Sequence, residues 1–156
     1  MINRLSITNY ALISNLEIDF LKGFTTITGE TGAGKSIILG ALNLILGHRF
    51  DSINFKDKSA KSIVEGVFDI SSLKLKSFFI DYDIDYDNIL IIRREFLFEG
   101  KSRTFINDTP VKLELLKILG SLLVDIHSQH ENLLINNETF QIDLIDKISG
   151  NKFPDF

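Results

Sequence analysis

The chain has 156 residues, 44% of them hydrophobic and 24% charged, which is the composition of a single globular domain with its own core. That balance excludes a mainly disordered chain, and ten Gly with two Pro exclude collagen-like and low-complexity classes. Cysteine is absent, which excludes disulfides, thiolate metal sites and a thiol nucleophile, and a net charge of −4 lacks the basic surplus of a domain that binds nucleic acid by itself.

The opening residues, MINRLSITNYALISNLEIDF, hold no apolar signal core, and no stretch approaches the ~18 apolar residues of a membrane span. The expectation is a soluble, cytoplasmic protein that makes no membrane contact. Leu16, Ile18 and Phe20 alternate with Glu17 and Asp19, the period of a half-buried strand, and Leu5 and Ile7 repeat it more weakly. Leu21, Lys22 and Gly23 suit a tight turn. Phe24 to Thr28 (FTTIT) is rich in β-branched residues and predicts a third strand.

Gly29 to Gly34 reads as a loop. From Lys35 the apolar period changes to 3.6, with Ile38, Ala41, Leu42 and Ile45 on one helical face and Gly47 as the stop. Residues 48–61 are polar and predict a surface loop. Ile63 to Ile70 predicts a strand, and Ser71 to Ile80 a short helix capped by Ser71 or Ser72. Ile89 to Phe96 is strongly strand-like. Glu99, Gly100 and Lys101 suit a hairpin turn before a return strand, Ser102 to Ile106, and Asn107 to Pro110 form a further turn. A helix follows with Leu113, Leu116 and Leu119 inward. Then come a short buried strand, Leu122 to Ile126, and a helix over Glu138 to Ile148.

The strongest chemical signal is Gly29, Glu30, Thr31, Gly32, Ala33, Gly34, Lys35 and Ser36, which matches GxxxxGK[ST]. A β-branched run precedes it and an amphipathic helix follows, the context this phosphate-binding motif requires. Its glycines allow successive N–H groups to turn toward phosphate oxygens, and the helix N-terminus adds partial positive charge. Lys35 is expected at the β- and γ-phosphates, and the Ser36 hydroxyl on Mg²⁺. The alternative is a Gly-rich turn before a core helix. The motif predicts nucleotide binding and leaves the reaction open.

Further segments carry a resemblance. These are LSITNYALI (5–13), GETGAGKS (29–36), LGHRFD (46–51), IRRE (92–95), GKSRTFIN (100–107) and VDIHSQHE (124–131). In this order and spacing they resemble the N-terminal part of the RecN family of bacterial DNA-repair proteins, which belongs with the SMC-like ATPases of the ABC superfamily. The resemblance covers nearly the whole chain. It implies an α/β fold: the N-terminal lobe of a P-loop ATPase head with an antiparallel β subdomain, spanning 1–156.

In that family a long antiparallel coiled coil separates this lobe from a C-terminal lobe carrying the signature motif and Walker B. Two heads of a homodimer sandwich ATP. The implied function is ATP binding, with Mg²⁺, in DNA double-strand-break repair and recombination. DNA is contacted through the full-length protein, in the nucleoid-associated cytoplasm. Gln129 would be the glutamine-loop residue, touching Mg²⁺ and sensing the γ-phosphate, a task an amide suits because it both accepts and donates. An ordinary loop Gln is the alternative.

No LSGG-type signature, Asp-Glu strand or heptad arm occurs within these residues. The chain therefore resembles an N-terminal piece, with ATP hydrolysis expected of the full-length family and not of this piece alone. Gly40 stands where many such proteins have Asp, and His48 where Gly is common. Two other readings are a non-catalytic interaction lobe and a head of RecF or overcoming-lysogenisation type, which would lack VDIHSQHE.

Other candidates have plain alternatives. His127, His130 and Glu131 suggest a metal site, but HxxHE is not a metallopeptidase order. Leu122 to Asp125 imitates a Walker B strand, although Ile126 follows where a catalytic Glu would stand. Arg49 either reaches nucleotide or is solvated. Arg93, Arg94, Lys101 and Arg103 lie on one predicted hairpin and either meet DNA phosphates or form a salt-bridged surface. Asp81, Asp83, Asp85 and Asp87 either hold a cation or form a solvated acidic loop.

Overall fold

Alternating apolar residues pair the strands of a single sheet in the computed structural model, which describes residues 1–30, 34–49, 55–97 and 101–126. The strands are β1 (Ile2–Tyr10), β2 (Ile13–Asp19), β3 (Ser62–Asp69), β4 (Ile89–Phe96), β5 (Ser102–Ile106) and β6 (Thr109–Val111). The helices are α1 (Lys35–Ile45), α2 (Lys76–Asp81) and α3 (Leu113–Leu123). The chain divides into two units, Met1–Val124 and Asp125–Phe156. Apart from Asp125 and Ile126, the second unit lies outside the described residues, and so does the helix expected over Glu138 to Ile148.

The sheet runs β2-β1-β3-β4-β5-β6, antiparallel at every pairing. Register decides which side chains meet the core. Ile7 lies opposite Val64, Val64 opposite Arg94, and Arg94 opposite Thr104, while Phe68 faces Leu90 and Ile92 faces Ile106. All of these are buried and share one face, as a period of two requires. Helix α1 lays Ala41, Leu44 and Ile45 against that face, and α3 contributes Leu116 and Leu119. The sheet ends at β6, only three residues long, where Pro110 lacks the N–H that would bond a further strand.

The expected strand Phe24 to Thr28 does not form. All of 21–30 is exposed and lies outside the sheet, with Phe24 95% accessible, and it leaves the outer edge of β2 unextended among the described residues. The helix expected from Ser71 begins only at Lys76, after Leu75. Ser71 instead donates its N–H and hydroxyl to Asp69 Oδ1, at 3.0 and 2.6 Å, closing a turn at the strand end. The turn at 107–110 is shorter than expected. Asn107 and Asp108 supply it with φ of 46° and 65°, and Thr109 and Pro110 already belong to β6. The strand expected over Leu122 to Ile126 is not one either. Leu122 and Leu123 close α3, and 124–126 are irregular. That removes the Walker B imitation, which needed a strand ending at Asp125.

Candidate nucleotide-binding site

Helix α1 begins where the sequence motif ends. Gly34 occupies its N-cap position with φ 92° and ψ 3°, a left-handed conformation that a side chain resists. Its carbonyl accepts from Ile37 N and Ile38 N at 2.9 and 3.2 Å, which starts the helix. No side chain caps this end, and the first turn carries no acid. The opening amides of a helix lack intrahelical partners and carry partial positive charge. The end of α1 is thus suited to an anion.

The two candidate side chains of that turn are exposed. Lys35 Nζ donates to the carbonyls of Gly29 and Glu30, the latter at 2.8 Å, so its ammonium curls back over the loop it follows. Ser36 stands beside it, open to solvent. An ammonium among carbonyls, a free hydroxyl and an uncapped helix end match the chemistry of a triphosphate with a hard cation such as Mg²⁺. Thr31, Gly32 and Ala33 lie outside the described residues, as do Gln129, His127, His130 and Glu131.

The far end of α1 is closed by a reversal. Gly47, at φ 94°, lets Gly47 N reach Leu44 O at 3.0 Å and His48 N reach Asn43 O at 3.1 Å, the paired bonds of a glycine-terminated helix. Gly47 is therefore the stop that the sequence predicts. Arg49 follows, exposed.

The basic cluster of the β4–β5 hairpin does not act as one surface. Arg93 points to the outer face, where Glu65, Glu95 and Asp108 lie 3.9, 3.6 and 3.3 Å away, and its guanidinium sits 4.8 Å from the Phe105 ring. Lys61 meets Glu95 as well, at 3.3 Å. This is the salt-bridged surface, not a row of free cations. Arg94 points the other way and is 2% exposed. Its Nη1 donates to Leu44 O at 2.8 Å and His48 O at 2.6 Å, and its guanidinium lies 4.7 Å from the Phe96 ring. Burial pushes its pKa down to about 10, so it remains charged at neutral pH.

Grouping the basic residues by hairpin misses this function of Arg94. The signal was the alternation Leu90, Ile92, Arg94, Phe96, which sets Arg94 among core positions. The acidic run 81–87 also has structural duties: Asp87 Oδ1 accepts from Ile89 N at 3.0 Å, and Asp85 O from Asn107 Nδ2 at 3.0 Å. Among the described residues no group of three or more His, Asp or Glu is placed to hold a metal ion.

A model of the AAA domain matches residues 4–151. The chain belongs to that family. It is 38% identical over 151 residues to the DNA repair protein RecN of Vibrio cholerae, and 38% identical over 152 residues to RecN of Bacillus subtilis. Each match covers 96% of this chain but only 27% and 26% of those proteins, so the chain spans about a quarter of the length of the curated relatives it matches. It corresponds to the N-terminal part of RecN.

The fold is that of an SMC head. The Smc head domain of Pyrococcus furiosus, solved with the C-terminal domain of ScpA, superposes with a TM-score of 0.69 at 24% identity, covering 96% of this chain and 42% of that one. A chain from work on ATP-driven dimerization and DNA-stimulated activation of SMC ATPases gives 0.68 at 20% identity, covering 94% and 98%. The RecN-like sequence and the SMC-head fold agree with what the sequence motifs imply.

Proposed function

We propose that this chain binds ATP with Mg²⁺, as the N-terminal lobe of a RecN-like head acting in DNA double-strand-break repair. The observation that carries this reading is the uncapped, acid-free start of α1, with Lys35 and Ser36 exposed beside it. Lys35 leaves its carbonyl partners for the β- and γ-phosphates, the amides after Gly34 hold phosphate oxygens, and Ser36 ligates Mg²⁺. Gln129 reads the γ-phosphate. The hydrolytic carboxylate and the signature motif come from a C-terminal lobe and a second head, and DNA is engaged by the whole protein in the cytoplasm. Among the described residues no helix is long and apolar enough to cross a membrane.

Titration with fluorescent ATP tests this directly. Lys35→Ala removes a charge-assisted phosphate contact and should weaken binding by roughly tenfold or more. Equal affinity for the wild type and Lys35→Ala overturns the reading.

A second reading rests on a different observation. Leu21, Phe24 and Ile27 are 82%, 95% and 44% exposed on a β-branched segment outside the sheet. Such a segment suits pairing with a strand of a complementary lobe, so this chain is also an interaction module. Light scattering of the wild type and Phe24→Ser, each mixed with a separately produced C-terminal RecN lobe, checks it. Association should fall in the variant, and its absence from both mixtures removes the idea.

A further inference from the structure

Helix α1 is rooted at one end only. Ala41, Leu44, Ile45 and Leu46 are buried, whereas Lys35, Ser36 and Leu39 are exposed. The phosphate-facing half therefore projects from the lobe, and its direction is set where the other half is held. The helix has 11 residues. At about 1.5 Å per residue its length is about 16 Å, so a tilt of roughly 10° at the root displaces the phosphate end by about 3 Å, which breaks any hydrogen bond made there.

Arg94 sits at that root. A guanidinium among Ile92, Phe96 and Val64 carries a desolvation cost that an apolar side chain of similar volume would avoid. Bulk filling of the core does not account for it. Its two acceptors do. Leu44 O, which also accepts from Gly47 N, and His48 O flank the reversal at Gly47, where the end of the helix carries partial negative charge. Helix α1 has no basic residue in its own last turn, so β4 supplies the cation. One planar group thereby fixes both the last turn of α1 and the chain leaving it.

We infer that Arg94 is a positioning residue for the phosphate loop: by holding the carbonyls of Leu44 and His48, it sets the angle at which α1 presents Gly34, Lys35 and Ser36 to a triphosphate. This rests on the nucleotide-binding reading above. Arg94 acts through α1 and touches no phosphate.

The test uses the whole chain and three variants. Arg94→Gln keeps a donor and removes the charge. Arg94→Lys keeps the charge on a shorter side chain, whose ammonium falls short of where Nη1 meets both carbonyls. Ile106→Ala opens a cavity on the same core face and removes no hydrogen bond to the last turn of α1. Labelled-ATP affinity, melting temperature and amide exchange at Leu46, Gly47 and His48 are measured for each. Arg94→Gln should bind ATP roughly tenfold more weakly and exchange those three amides roughly tenfold faster, with Arg94→Lys between it and the wild type.

Ile106→Ala should lose as much melting temperature yet keep affinity within about twofold. Unchanged affinity in Arg94→Gln overturns the inference, as does an equal loss of affinity in Ile106→Ala. If Arg94→Gln does not fold, Arg94→Lys is judged against the same control. If the wild type binds no nucleotide, the ATP reading fails and the exchange data decide alone. Acceleration confined to the end of α1 then supports the clamp, and acceleration spread over the sheet refutes it.

Discussion

Asn9 is buried at φ 52°, and its amide bonds to a distant segment of backbone. Nδ2 donates to Asp57 O and Ala60 O at 2.7 and 2.8 Å, and Oδ1 accepts from Asp57 N at 2.7 Å. One side chain thus ties the end of β1 to the segment between α1 and β3. Asn also tolerates the left-handed backbone that the β1–β2 hairpin needs here. Asn9→Ala strands those groups and strains φ, and should cost about 1–3 kcal/mol in a urea titration. Asn9→Gly relieves the backbone part alone and should recover a fraction of that. If Asn9→Ala melts like the wild type, the tie has no energetic weight.

This residue shows what a pattern of apolar periods leaves out. The alternation in β1 correctly placed Leu5 and Ile7 inward. It said nothing of an amide reaching a loop 48 positions away, because residues 48–61 look merely polar. Arg94 is the opposite case. Its orientation was legible from the strand period, but its partners were not, since they lie in the last turn of α1 and just beyond it.

Among the elements, α3 brings its backbone close to the residues that end α1. A Cβ built on Gly120 would lie 2.6 Å from Leu46 O and 3.0 Å from its carbonyl carbon, neither of which has room to retreat. Gly40 in α1 offers a comparison, since a Cβ there would lie 2.9 Å from the Tyr10 hydroxyl, the tip of a longer side chain. Ala gains about 1 kcal/mol over Gly in a helix, and overpacking costs about 1–3 kcal/mol. Gly120→Ala, whose Cβ meets backbone, should therefore lose up to about 2 kcal/mol net in a denaturant titration, while Gly40→Ala is expected to be neutral or slightly stabilising. Equal stabilities would mean that the two helices separate without penalty.

The elements also show why some expectations failed. Phe24 to Thr28 has the composition of a strand, but composition does not decide pairing, and the segment lies outside the sheet. Leu122 and Leu123 were read as strand because a short apolar run fits either period. Both belong to the last turn of α3 instead, with Leu123 half-buried and Leu122 exposed.

At the scale of the whole chain, the β4–β5 hairpin was legible and the sheet order was not. The β1–β2 pair turns at Ala11 and Leu12, whereas the sequence set its turn at Leu21 to Gly23. The β1–β3 pair joins Ile2 to Phe68, and no local signal announces it. The motif GETGAGKS marks a candidate site, and the structure sets Lys35 and Ser36 at an uncapped helix start. The glutamine-loop assignment of Gln129 lies outside the described residues. The RecN resemblance, carried by segments spread from Leu5 to Glu131, agrees with relatives that align over 96% of the chain.

That long-range pairing has a consequence for how the molecule comes into being on the ribosome. Strand β1 is made first, yet its inner neighbour β3 begins only at Ser62, so β1 can pair at once only with β2. Synthesis proceeds at about 5–20 residues per second, so the strand waits roughly 3–12 s for its partner. The phosphate loop and α1 emerge within that interval, before β3, β4 and α3 exist to seat them. The motif is translated early, and the geometry that gives it a purpose is assembled late.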